Sequence, residues 1–126
     1  MNPYLLVGAI VAAAAGILHS WLGERFILRR LFRRQDLPHL FGSDVFTKRT
    51  LRMGWHLTSI AWWGFAGMNL LFALQPRLEL SAWDAVAIIR WTFLVSAVYA
   101  FVASRGRHLS WLLFGTIAIA LWVAAP

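Results

Sequence analysis

The chain has 126 residues, of which 60% are hydrophobic and 13% charged, against roughly 45–50% apolar in an ordinary soluble domain. That balance argues against a soluble globule, and four apolar helices of about 20 residues with short connections would fill the sequence, leaving no room in it for a separate catalytic domain. Without cysteine there can be no disulfide, thiolate metal site, iron–sulfur cluster or covalent c-type haem. A net charge of +7 in so apolar a chain points to topology and anionic lipid before nucleic acid.

From Tyr4 to Leu22 nothing is charged, and 19 residues at about 1.5 Å each cover about the 30 Å of a bilayer's hydrocarbon core. Met-Asn-Pro before this run lacks the positive charge of a secretory signal, so the run is expected to stay as a span. Residues 23 to 52 then carry eight of the twelve Lys and Arg residues. On a helical wheel Ile27, Leu28, Leu31 and Phe32 share one side, with Arg25, Arg29, Arg30, Arg33 and Arg34 on the other, as in a short interfacial helix on anionic headgroups. Asp36-Leu37-Pro38 breaks that helix and Gly42 adds a turn signal. Ser43 or Asp44 can cap a helix that starts in the loop and runs into the second span, Met53 to Leu74, closed by Gln75-Pro76.

The next loop has only Arg77, offset by Glu79 and Asp84. A third span, Ala85 to Ser104, is interrupted only by Arg90, and a fourth, Leu109 to Ala125, follows Arg105 and Arg107. The expected fold is therefore all-α: an integral membrane four-helix bundle with spans at about 4–22, 53–74, 85–104 and 109–125, plus a short amphipathic interfacial helix in the first cytoplasmic loop. Positively charged loops resist translocation, which puts both basic loops in the cytoplasm and both termini outside it, in a membrane of the bacterial inner-membrane type. Trp21, Trp55 and Trp111 would then mark the inner interface and Trp83 and Trp122 the outer one. Gly8, Ala12, Gly16 and Ser20 on the first span, and Ala61, Gly64 and Gly67 on the second, form small-residue stripes that allow close packing, within one chain or in a homo-oligomer or membrane complex.

Polar groups inside a membrane are costly enough to serve as functional hypotheses. His19 and His56 fall about 5 Å in from the basic side and Tyr99 about 8 Å, while His108 opens the fourth span and Glu24 lies just beyond the first. Neutral imidazole ligates zinc, copper, iron and haem, and membrane bundles draw such ligands from several helices at one level. Thus His19, His56 and His108, with Glu24 and Tyr99 as further ligand or proton-handling groups, would form a metal or haem site near the cytoplasmic face with a redox or metal-dependent role. In architecture alone this resembles four-helix membrane cytochromes. The alternative is a non-enzymatic accessory or lipid-binding protein with structural histidines, whose basic loop holds anionic lipid or a partner complex. His39 could fold over the histidine layer or stay solvated.

Near the other face, Asn69 and Arg90 reach comparable depths and could pair, while Trp62, Trp63 and Trp91 lie mid-span, where they could stack on a flat cofactor or simply pack. No phosphate loop, nucleophile elbow or carboxylate dyad is present. Nucleic-acid binding is disfavoured because topology accounts for the basic residues and membrane belts for the aromatics.

Overall fold

The computed structural model describes residues 1–75 and 79–124. Pro76, Arg77 and Ala125, to which the sequence assigns a helix stop, a loop charge and the end of a span, lie outside them. Among the described residues all regular structure is helical.

Helix α1 (Pro3–Leu22) starts where Pro3 presets the first turn and the Asn2 side chain accepts the free N–H groups of Tyr4 and Leu5 at 3.0 and 3.3 Å. Nothing breaks it at Leu22. A π-helical segment (Gly23–Leu28) and α2 (Arg29–Leu31) carry it on as one rod of 29 residues, about 43 Å long. The separate interfacial helix expected over 25–34 is therefore a continuation of the first span. No proline intervenes, and Gly23 keeps right-handed dihedrals of −60° and −48°. The sidedness holds in part. Leu28 is buried and all five arginines are exposed, but Ile27 is exposed with them.

The chain then turns through Arg34 and Asp36, which pair, and through Phe41 and Gly42 at φ of 58° and 86°. Helix α3 (Val45–Leu74) has 30 residues, about 45 Å, and so begins well before the apolar run at Met53, as its capping signals predicted. Asp44 holds the cap position, yet its carboxylate pairs with Lys48 and leaves the first-turn N–H groups uncapped. Helix α4 (Ala82–Ser104) opens on a reciprocal cap between Ser81 and Asp84 and closes with Arg105 and Gly106 in left-handed conformations. Helix α5 (Ser110–Val123) has 14 residues, about 21 Å. Three helices are thus long and apolar enough to cross a membrane, and the fourth is apolar but shorter.

Neighbours run antiparallel: Gly8, Gly16 and Gly23 of the first rod face Asn69, Trp63 and Trp55 of α3, and Gly64 and Gly67 of α3 face Thr92 and Ile88 of α4. Phe93 meets Phe114, and Arg90 meets Trp122, across α4 and α5. Each small-residue stripe therefore packs within the chain against the next helix along. A Cβ on Gly16 would fall 2.5 Å from Trp63 Nε1, and one on Gly23 would overlap the Trp55 indole. Both indoles lie against the rod and donate to its backbone, Trp63 to Ala13 O at 3.2 Å and Trp55 to His19 O at 3.0 Å. The order of packing is α1 on α3, α3 on α4 and α4 on α5. Neither α4 nor α5 approaches α1 closely, so the helices form an open row where a closed bundle was expected.

Burial follows the same logic. Beside Leu28, Met53 and Ile60, the shielded residues are small, such as Ala9, Ser59, Ala66, Ala73, Ala97, Ala100 and Ala118, while Phe65, Val102, Leu113 and Ile119 stand outward. That pattern is the one expected of helices packed in a membrane, where close backbone approach contributes more than burial of large side chains.

Candidate functional site

Because the row is open, α1 and α4 flank α3 without closing over it. At the end of the molecule where the arginines lie, this leaves an open groove of about 590 Å³ lined by Ser20, Glu24, Arg52, His56, Ile60, Trp63 and Tyr99. The π-helical segment positions Glu24. π-Helical turns insert an extra residue and are often found at functional sites, and here Glu24 is turned toward α3.

The Glu24 carboxylate accepts two hydrogen bonds from Arg52, Nε at 3.0 Å and an Nη at 3.1 Å, the paired fork that only arginine supplies. Arg29 Nε lies 3.7 Å from Oε1 of the same carboxylate and His56 Nε2 3.6 Å from Oε2. His56 Nδ1 is 2.8 Å from Ser20 Oγ, and Ser20 donates to the buried Ser59 hydroxyl at 2.8 Å. With the Ser20 proton on Ser59, His56 closes the contact by donating from Nδ1, and its Nε2 faces the carboxylate. The Tyr99 ring meets that of His56 edge-on at 6.3 Å. A connected polar path therefore runs from Ser59, inside the helix pair, through Ser20, His56 and Glu24 to the guanidinium groups of Arg52 and Arg29.

Of the groups expected to converge, the structure brings together His56, Glu24 and Tyr99. His19 is one position before Ser20 and so points about 100° away on the helix. It stacks on Trp55 at 4.5 Å and 9° and lies against Trp62 at 4.9 Å, with its Nε2 buried and unpartnered among the described residues. His108 is held at the α4–α5 turn by Ser110 at 2.9 Å and faces Phe46. Equal depth did not bring the three histidines together, because His19 and His56 leave their helices in different directions and His108 sits in the turn before α5. Among the described residues, no three His, Asp or Glu side chains gather where one ion could bridge them. His39 is exposed in the loop.

The expected Asn69–Arg90 pair does not form. Asn69 packs against Gly8 on the α1 side of α3, whereas Arg90 lies 4.3 Å over the Trp122 ring on the α5 side of α4. A cation over an aromatic face offsets part of the cost of its position. The mid-span tryptophans are used in packing: Trp62 on His19, Trp63 on α1 and Trp91 edge-on to Trp122 at 5.5 Å.

Sequence reasoning missed Arg52, which it used only as a loop charge, and Ser59. One signal for Arg52 was available: the chain has five carboxylates, and only Glu24 stands at the edge of the first span, where a charge needs a partner. Comparison with models of known protein families, with characterised proteins and with solved structures finds no match to this chain.

Proposed function

We propose that this is an integral membrane protein that binds an amphiphile with a small anionic head in the groove between α1, α3 and α4. In this reading the arginine-rich ends face the cytoplasm, both termini lie outside it, and the protein is a binding or accessory component of a bacterial-type inner membrane. The observation that carries the reading is the excess of donors over acceptors at the head of an apolar groove. Arg52 and Arg29 both lie against the Glu24 carboxylate, Arg52 commits only two of its five N–H groups to it, and Tyr99 lines the same groove. A phosphate or carboxylate head would take the remaining donors, and a tail would lie over Ile60 and Trp63 toward the bilayer.

A second reading, a metal ion, is favoured by one distance. His56 Nε2 and Glu24 Oε2 are 3.6 Å apart, a spacing that two ligands at about 2.0–2.2 Å from one ion can take. Two guanidinium groups on the same carboxylate oppose a cation there, and His19 and His108 would be no part of the site. A bis-histidine haem has even less support, since His56 stands alone in the groove.

One preparation decides between them. Protein extracted in mild detergent without chelator is analysed by mass spectrometry for retained lipid, and by elemental analysis and absorption spectroscopy for metal and haem. The expected result is that Arg52→Gln and His56→Gln each lose one anionic amphiphile per chain relative to the unaltered protein. One equivalent of metal, lost in His56→Gln, or a Soret band would overturn it.

A further inference from the structure

A second basic cavity lies apart from the groove, between the loop that precedes α3 and the turn that joins α4 to α5. It measures about 340 Å³ and is lined by Leu40, Phe41, Phe46, Arg49, Arg105 and Arg107, with Ser43 beside them. Among the described residues none of these three arginines has a carboxylate within 4.0 Å, and the nearby Asp44 is turned to Lys48. Three guanidinium groups around one small space repel one another, and an oxyanion with several acceptor oxygens would relieve that repulsion.

Two further features bear on the same cavity. Phe41 and Arg105 have φ of 58° and 54°; at Arg105 this is the left-handed residue that ends α4, its N–H turned back to Phe101 and Val102, and at Phe41 it costs a non-glycine residue. They are the two such residues among those described, and both line this cavity. Phe41 is 84% exposed, with Leu40 and Val45 also exposed beside it, so the cationic space has an apolar rim.

We infer that Arg49, Arg105 and Arg107 form a binding site for a phosphate group, held by paired N–H donors and flanked by Leu40 and Phe41. The rim suits the headgroup of an anionic phospholipid. The same donors would accept a soluble phosphate, and the source is left to the experiment. The site shares no residue with the Glu24 groove, and either can fail without the other.

The test uses the full chain in detergent and counts bound phosphatidic acid and phosphatidylcholine by native mass spectrometry, with inorganic phosphate as competitor. Arg49→Gln is compared with Arg30→Gln, which removes the same charge from an exposed position that lines neither cavity and so reports only the general attraction of the basic face for anionic headgroups. Loss of one phosphatidic acid per chain in Arg49→Gln, at least a tenfold weakening, with less than a twofold change in Arg30→Gln, is expected. Arg105→Gln should reproduce the loss and serves if Arg49→Gln does not fold. Displacement by millimolar phosphate would assign the site to phosphate itself, and resistance to it would assign the site to the lipid; either supports the site. Equal weakening in Arg49→Gln and Arg30→Gln, or no weakening in Arg49→Gln and Arg105→Gln, would overturn it.

Discussion

Glu24 and Arg52 meet through two parallel hydrogen bonds, 3.0 and 3.1 Å long, across the junction of the first helix and α3. The pair ties the π-helical segment to α3 at the head of the groove. Among the described residues it is also the only contact in which Glu24 is held by a fork instead of by a single approach. Side chains about a quarter and a half exposed place it between a surface pair and a buried one. A double-mutant cycle of Glu24→Gln and Arg52→Gln, followed by unfolding in detergent, should give a coupling of about 1 kcal/mol. Arg52→Lys should recover less than half of it, since lysine cannot form the fork. Additive single effects would show that the pair does not hold this junction.

His56 and His19 lie at one depth and should behave oppositely. His56→Gln removes the groove's imidazole and is expected to abolish retention of the bound amphiphile. His19→Phe keeps a flat ring against Trp55 and Trp62 and removes a buried nitrogen that has no partner among the described residues, so stability should be unchanged or higher and ligand retention intact. Loss of ligand in His19→Phe, without loss of fold, would show that equal depth is the better guide to the site.

Helices and their polarity were legible because apolar runs and charge blocks are one-dimensional signals, as Tyr4 to Leu22 and the arginines after it illustrate. Facing was not legible. His19 and Ser20 are adjacent in sequence and on different sides of α1, and only packing against α3 decides which of them meets His56. The extra residue of the π-helical turn changes the facing again after Gly23, so a wheel drawn at 3.6 residues per turn misplaces Glu24 and Ile27. The Asn69–Arg90 expectation failed for the same reason: it used depth, and the two side chains leave through opposite sides of the row.

Glycine substitutions separate close approach from helix propensity. Alanine is about 1 kcal/mol better than glycine inside an exposed helix, and at Gly54, where an added Cβ meets nothing within 4 Å, Gly54→Ala should raise the melting temperature. At Gly16 and Gly23 the added carbon meets the indoles of Trp63 and Trp55, and substitution should cost about 1–3 kcal/mol, as overpacking does. If all three variants shift thermal unfolding in the same direction, the glycines do not set the spacing of α1 and α3.

The loop gives one pH-dependent signal. Side-chain hydrogen bonds from Arg34 hold the Asp36 carboxyl at about 2, below its ordinary 3.8, and Asp36 in turn raises Arg34. A carboxyl depressed on folding stabilises the loop above its ordinary value, and that contribution is lost as pH falls through about 2. Carboxyl NMR of Asp36 should therefore show a midpoint near 2, moving up toward 3.8 in Arg34→Gln. A midpoint already at the ordinary value would mean that the pair is open in solution.

Topology turns on α5. Its 14 residues rise about 21 Å, less than the hydrocarbon core, yet it runs back along α4 from Phe101 beside Trp111 to Arg90 beneath Trp122. Trp122 thus reaches a level only about 12 Å short of the start of α4 at Ala82. A ring and a guanidinium there can reach the headgroups by extending outward, so the short helix would still complete a crossing in a locally thinned bilayer. Reporter fusions should read non-cytoplasmic after Gln75 and after Val123, and cytoplasmic after Asp36. A cytoplasmic reading after Val123, with the other two as stated, would mean that α5 returns to the basic side and that the chain crosses three times. A reversed reading at all three positions would mean that the arginine-rich loops do not set the orientation.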